Sequence, residues 1–300
     1  MTEPHVDRQA YDGDQPTGVV SFRAMEHGTA GAEILGVHAE GPYLSGAEIA
    51  RGSVSIGSLR SPSVRELNQI VEASGGTVRV MSIAPELDGA LDVVREMVNL
   101  NIVPSAAHSA ATYEQAMEAV DAGLRSATHT FNGMIPMHHR KPGLVGAVLT
   151  CDKINAELIG DGAHVGPVAM QVLLRCKGTD RVTLITDSTH LAGSPNGEYQ
   201  TEDGRTIIKE DFKAWVVGGT LYGSVSPMNK NVANIVNLVG YSLSDALKVA
   251  AWNPAKLIGV ADRKGSLEAG KDADLVIIDD EVNVYLTMVQ GRVAHRAEQW

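Results

Sequence analysis

Cysteine is nearly missing from this 300-residue chain, with Cys151 and Cys176 the only two. Two thiols so far apart exclude a disulfide framework and a cysteine-based zinc site, and both read as small buried hydrophobes. Long apolar runs are missing too: nothing approaches the roughly 18 apolar residues that a membrane span requires. The opening MTEPHVDRQAYDGDQPTG is polar and lacks the apolar centre of a secretion signal, so the expected compartment is the cytoplasm. Positive charge is in deficit, with 25 Lys and Arg against 36 Asp and Glu and a net charge of −11. Nucleic acid and anionic membrane surfaces demand basic patches, so no partner of either kind is expected. A small anionic substrate stays open, because one phosphate needs only a few local donors. No internal repeat of a few tens of residues is visible, which excludes a solenoid.

What is present is the material for a large core: 44% hydrophobic and 20% charged residues in a chain whose length suits one α/β barrel or two smaller domains. From about residue 34, short β-branched runs alternate with segments of helical period, the pattern of βα units around a parallel sheet. The strand candidates are ILGV (34–37), TVRVMSI (77–83), IVPSA (102–106), SATHT (126–130), INAELIG (154–160) and VTLIT (182–186). Helix signals lie between them: Ser61 and Pro62 before VRELNQIVEA, and Thr112 with Gln115 as a capping box ahead of Gly123. Residues 167–176, 226–239 and 244–251 also read as helices. After Gly259 the tail turns to short alternating runs separated by Gly and Asp, which predicts β-hairpins outside the barrel. The expected division is therefore a poorly defined segment 1–33 with GVVSF (18–22) its one strand-like piece, a hydrolase barrel over 34–259, and a small β-sandwich remnant over 260–300.

The candidate chemical residues share a position. Glu40 ends ILGVHAEGP, His108 ends IVPSAAHS, His129 ends SATHTFNGM, His164 follows INAELIGDGAH, and Asp187 ends VTLITDS. Each stands at the carboxyl end of an apolar run, where barrel enzymes keep their catalytic groups. Singly, a histidine at a strand end is more often structural, and Glu40 or Asp187 could be a helix cap. Five such placements together point to a site. Two histidines and a carboxylate make a three-ligand set for one divalent ion, zinc first, with iron, cobalt or manganese as alternatives. Glu40, His108 and His129 are assigned to it, and Asp187 to proton transfer beside the ion.

The motifs GVHAEGPYLS (36–45), APE (84–86), AAHSAAT (106–112), ATHTFNGM (127–134), RKPGLVGAVL (140–149), DGAHV (161–165), DSTHLAG (187–193), GGTLYGSVSPM (218–228) and NPAKLIGV…GSLEAGKDADLVIID stand in a recognisable order. Over about residues 34–293 the chain resembles the N-acetylglucosamine-6-phosphate deacetylases of the amidohydrolase superfamily. The resemblance implies a TIM-like (β/α) barrel, the same ligands Glu40, His108 and His129, and Asp187 as general base and acid. It also implies that Asn132, Gly133, Arg140, Asp161, His164, Leu221, Tyr222 and Gly223 surround a phosphorylated N-acetyl amino sugar. Arg140 would hold the phosphate, acting from the neighbouring subunit of a homodimer; a guanidinium suits phosphate through paired donors. His138 and His139 beside it read as surface residues.

Two departures qualify the resemblance. Where the family carries a Lys-Gly-Ala-His-like segment whose histidine contacts substrate, this chain has Arg51-Gly52-Ser53-Val54, and valine has no side-chain hydrogen bond to offer. The family's first barrel strands and amino-terminal sandwich strands have no clear counterpart before residue 34, so the barrel is expected to lack its amino-terminal strands. The leading expectation is hydrolysis of N-acetylglucosamine 6-phosphate to acetate and glucosamine 6-phosphate. N-acetylgalactosamine 6-phosphate or another N-acyl amine is the alternative substrate, and a weakly catalytic homologue the alternative class.

Overall fold

A computed structural model of the chain describes residues 25, 27–52, 54–201, 204–219 and 221–298. The strand-like GVVSF at 18–22 lies outside them. The centre is a six-stranded sheet in the order β1 (Val37–Glu40), β2 (Val78–Ile83), β3 (Val103–Ala106), β4 (Ser126–Ala127), β5 (Asn155–Ile159) and β6 (Val182–Ile185). Every pairing is parallel, with Glu40 opposite Ser82, Ala106 opposite Ala127 and Ile159 opposite Ile185. Parallel neighbours need a crossover, and helices at Val64–Ala73, Ala90–Asn99, Tyr113–Ala122, Gly143–Thr150 and Pro167–Lys177 occupy the stretches between strands. The result is a parallel half-barrel in which every strand end with a candidate residue lies on the same side.

Local chemistry explains the helix limits. Ser63, two residues after the expected Ser61, caps Val64–Ala73 by accepting from Glu66 N. Thr112 and Gln115 form the reciprocal capping box that the sequence predicts, at 3.2 and 2.9 Å. The helices press Leu144, Val148, Met170 and Leu173 against Ala127, Ile154, Leu158 and Leu184 of the sheet region, all buried. Full burial of each such large side chain contributes about 1.5–3 kcal/mol. In β2, every residue but Arg79 is buried, Val78, Val80, Met81 and Ile83 among them, as a strand covered on both faces requires.

Several expectations need correction. The first strand begins at Val37, not Ile34: Gly36 crosses close to the Arg79 side chain and Thr77 carbonyl, and pairing starts with Val37 N on Thr77 O. SATHT shrinks to two paired residues, because the chain leaves the sheet at Thr128 and His129 has φ 34°. The helix expected over 244–251 is Leu243–Leu247, a π-helical stretch Lys248–Trp252 and Asn253–Leu257. Cys176 is exposed and Cys151 half-buried, so neither is a core residue.

Outside the parallel sheet lie two antiparallel ones. The first, β7 (Gly197–Gln200), β8 (Thr206–Glu210) and β9 (Lys213–Val216), is absent from the sequence reading. Its strands show no regular apolar alternation; Ile207 and Ala214 are buried with Leu191 and Val225, and Tyr199 and Val216 pack against them. The second is the tail, which forms β10 (Leu275–Ile278), β11 (Val284–Val289) and β12 (Arg292–Arg296), as the alternating runs predict. Ahead of β1, Glu33 pairs with Arg263 and Lys264, each at 2.7 Å, while Lys264 also meets Asp272 and Asp274. This network ties the start of the described chain to the tail. Among the described residues no helix is long and apolar enough to cross a membrane.

Candidate metal and substrate site

The strand ends deliver their residues to one place. Glu40 is the last residue of β1, His108 lies two beyond β3, and His129 two beyond β4. One ligand atom from each lies within 4.8 Å of the others, and both Nε2 atoms stand 2.8 Å from Glu40 Oε1. The backbone turns sharply to do this. His108, His129 and Asp187 all have positive φ, at 42°, 34° and 50°, a region that costs a non-glycine residue energy and that clusters at functional sites.

Packing fixes the ligand orientation. His108 donates its Nδ1–H to the carbonyl oxygen of Ala50 at 2.8 Å, which leaves Nε2 as the electron-pair donor facing Glu40. Gly133 lies so close that a Cβ there would come within 2.6 Å of His108 Nδ1 and 2.9 Å of Ala50 O. Gly52 touches the other edge of the ring, where a Cβ would stand 3.4 Å from Cε1. Glu86, in sequence only the last letter of the APE motif, clamps the loop after His108: its two carboxylate oxygens accept from Ser109 Oγ at 2.8 Å and Ala110 N at 2.6 Å.

Electrostatics follow from this crowding. Burial alone would raise the Glu40 carboxyl, but hydrogen bonds from both imidazoles outweigh it and hold the group far below the usual carboxylate range. Burial tends to lower His108, yet its bonds to Glu40 raise it overall. Asp187 is raised, first by burial and then by the charge of Glu40, against the pull of His129. The donor set fits a divalent ion: two imidazole nitrogens and a carboxylate oxygen converge from three strand ends, and the Ala50 carbonyl on Nδ1 turns Nε2 of His108 toward the common point.

Asp187 stands two residues beyond β6, and the neighbouring chain pairs with the Leu221–Ser224 stretch through Ser224 N on Asp187 O at 3.1 Å and Thr189 N on Ser224 O at 2.9 Å. Leu221, Tyr222 and Gly223 are thereby brought beside it; Gly223 fits because a Cβ would strike Thr189 at 2.4 Å. In the turn after β5, Asp161 accepts from Ala163 N, His164 N and, at 2.6 Å, His164 Nδ1, so it orients that ring with Nε2 outward. Asn132 folds back onto the His129 carbonyl at 3.1 Å. Arg140 is not brought in: it is exposed and donates to His139 Nε2 at 2.8 Å, with no ion pair to the ligand cluster.

Beneath the ligands lies a polar layer that the strand readings overlooked. His38 Nε2 and Thr128 Oγ1 each approach Ser82 Oγ at 2.9 Å, and Ser105 Oγ meets Thr128 Oγ1 at 2.7 Å. Buried Glu157 is pushed up to about 8 by burial, with Glu40 and Asp187 adding to the rise and a hydrogen bond from the His129 backbone opposing it. The available signal was polar residues interrupting otherwise apolar strands: Ser82 in VMSI, Ser105 in VPSA and Glu157 in NAELI.

Comparison with known proteins agrees with this geometry. The Amidohydrolase family model matches residues 22–294. The chain is 38% identical over 269 residues to the N-acetylgalactosamine-6-phosphate deacetylase of Escherichia coli O157:H7, spanning 90% of this chain and 70% of that protein. It is 34% identical over 271 residues to the N-acetylglucosamine-6-phosphate deacetylase of Bacillus subtilis (strain 168), spanning 90% and 68%. Among solved structures, a point mutant of the Mycobacterium smegmatis N-acetyl-D-glucosamine-6-phosphate deacetylase, in complex with N-acetyl-D-glucosamine-6-phosphate, superposes with a TM-score of 0.83 at 34% identity, covering 92% of this chain and 72% of that one. The six-stranded parallel half-barrel, the Glu40, His108 and His129 cluster at its strand ends and these matches place the chain in the amidohydrolase family, among the N-acetylglucosamine-6-phosphate deacetylases.

Proposed function

We propose that this protein hydrolyses the N-acetyl group of N-acetylglucosamine 6-phosphate, giving glucosamine 6-phosphate and acetate. The observation that carries the reading is the convergence of Glu40, His108 and His129 on one point in a chain so similar to deacetylases of this class. Glu40, His108 and His129 would hold one divalent ion, zinc by preference for two imidazoles and a carboxylate, which supplies the Lewis acidity that activates water and polarises the amide carbonyl. Asp187 takes the proton of the attacking water and returns it to the departing nitrogen; its raised pKa suits a group that must both accept and release a proton. His164, whose Nδ1–H is held by Asp161, presents Nε2 to the substrate. Asn132, Gly133 and the stretch Leu221–Gly223 line the sugar. Arg140 binds the phosphate of the neighbouring subunit's substrate in a homodimer, which accounts for an exposed guanidinium in the single chain. The fold reading that accompanies this is a (β/α) barrel body over 34–259 and a β appendage over 260–300.

A second reading, deacetylation of N-acetylgalactosamine 6-phosphate, is favoured by the 38% identity to the Escherichia coli enzyme of that name and by Val54 at a position where the resemblance calls for histidine. Acetate release from both sugar phosphates, measured beside bound-metal content, decides between them. A protein that binds metal and releases acetate from neither overturns both.

A further inference from the structure

The helix Met228–Asn237 turns two amides into the protein. Asn231 and Asn234 stand three residues apart on one face, and both are buried, Asn231 completely. Asparagine is a weak helix former, and a buried amide is unfavourable without partners, so neither side chain is there for the helix itself. Their partners are carbonyls at the points where two strands leave the sheet. Asn234 Nδ2 donates to Gly160 O at 2.9 Å, just ahead of Asp161 and the turn that orients His164. Asn231 Nδ2 donates at 3.1 Å to the carbonyl of Ile185, the last residue of β6 and two before Asp187. The helix lies close: a Cβ on Gly160 would come within 3.1 Å of Asn231 Cβ.

Asn231 has a second bond. A carbonyl only accepts, so the amide nitrogen faces Ile185 and Oδ1 faces away, where Ser226 Oγ donates to it at 2.8 Å. Ser226 N donates in turn to Ser224 Oγ at 3.1 Å, and Ser224 N to Asp187 O at 3.1 Å. One side chain therefore bonds both the root of the Asp187 loop and the foot of the Leu221–Gly223 stretch. Ser226 is as fully buried as Asn231, so bulk water does not compete for these bonds.

We propose that Asn231 is a positioning residue for Asp187, holding that carboxyl in register with the stretch Leu221–Gly223, while Asn234 on the same face serves the Asp161–His164 turn. The assignment rests on the deacetylase reading, in which Asp187 moves the proton and His164 presents Nε2 to the substrate. Both amides bond to the ends of β5 and β6, whereas Glu40, His108 and His129 follow β1, β3 and β4, so metal retention is not their task.

Asn231→Ala should lower kcat for N-acetylglucosamine 6-phosphate about 10- to 100-fold, the scale on which a displaced reacting group slows chemistry, with KM and bound metal little changed. Asn234→Ala removes a bond of the same kind and should instead raise KM, because His164 binds and does not react. Each variant leaves a buried carbonyl without its donor, and each should melt at a lower temperature. The split between kcat and KM is what a purely structural anchor does not produce. Ser226→Ala deletes one hydroxyl and keeps the Asn231–Ile185 bond; it should lower kcat by a smaller factor, and adding it to Asn231→Ala should lower kcat no further. Should Asn231→Ala fail to fold, Ser226→Ala decides. Wild-type kcat in either variant would overturn the proposal, as would loss of metal from Asn231→Ala or identical kinetic changes in Asn231→Ala and Asn234→Ala. If the unmodified enzyme releases no acetate, the deacetylase reading itself fails and takes this assignment with it; normal turnover with unaffected variants removes Asn231 alone.

Discussion

His108 Nε2 faces Glu40 Oε1 at 2.8 Å while its Nδ1–H is committed to the carbonyl of Ala50. A neutral imidazole so held turns a lone pair toward a carboxylate, which is repulsive unless a cation separates them. A proton can serve, which is why Glu40 raises the His108 pKa although burial works the other way. A divalent ion serves better, because it also engages His129, whose Nε2 meets the same oxygen at 2.8 Å.

His129→Ala is therefore expected to empty the site. Elemental analysis of the purified protein should find about one divalent ion per wild-type chain and little in the variant, since two ligands seldom retain a catalytic metal. Stoichiometric metal in His129→Ala would take His129 out of the ligand set.

Asp187→Asn should separate binding from chemistry. The amide keeps the size of the carboxylate but cannot take a proton, and general acid–base groups contribute about 10²–10⁴-fold to rate. Metal content should persist while kcat falls by that range. An active Asp187→Asn enzyme would remove Asp187 from the mechanism.

How much of this was legible follows from the kind of signal each residue leaves. Val182 to Ile185 announces a buried strand by its apolar run, and the Thr112–Gln115 box announces a helix start, because both are local patterns. Glu40, His108, His129 and Asp187 were legible for the same reason: each follows such a run. The contact of Ala50 with His108 spans 58 residues and depends on a backbone carbonyl, which every residue has, so no pattern marks it. The sheet β7–β9 was missed because GEYQ and KAWV show no periodic apolar face. Arg140 marks the opposite limit: its motif resembles the family's, yet the single chain leaves it in solvent.

Arg140→Ala should raise KM for the sugar phosphate about 10- to 200-fold, since charge-assisted hydrogen bonds are worth about 1.5–3 kcal/mol each, and leave unphosphorylated N-acetyl sugars nearly unaffected. Mixing Arg140→Ala chains with Asp187→Asn chains should restore part of the activity, because a hybrid dimer contains one intact site. Equal loss on both substrate types would assign Arg140 to folding, and absence of rescue would argue for a site completed within one chain.

Glu33→Gln tests the network that joins the described start of the chain to its tail. Glu33 is lowered to about 2 from an ordinary 4.5, chiefly by its hydrogen bond to Arg263, with Lys264 assisting and burial opposing. A carboxylate depressed in the fold stabilises fully above about 4.5 and loses that contribution as the pH falls toward about 2. Its side chain is 30% exposed and Arg263 38%, so solvent screening reduces the effect. Wild type should unfold about 1 kcal/mol harder than Glu33→Gln at neutral pH, and the difference should shrink as the solution is acidified below the ordinary Glu value. Melting curves that stay parallel from neutral to strongly acidic pH would contradict the assignment.

The three ligands do not all come from adjacent strands. Glu40 leaves β1 whereas His108 and His129 leave β3 and β4, so chelation would cinch the first strand to the fourth across β2. Among the described residues β1 has no neighbour on its other side within the sheet, and four residues of pairing with β2 are its whole ladder there. An ion held there would brace the curvature of the sheet as well as supply the chemistry at its rim. Loading then becomes part of the folding equilibrium, adding about 2.7 kcal/mol when free metal stands at 100 times its dissociation constant. Catalytic competence and the shape of the half-barrel would then be one thermodynamic variable, set by the supply of the ion.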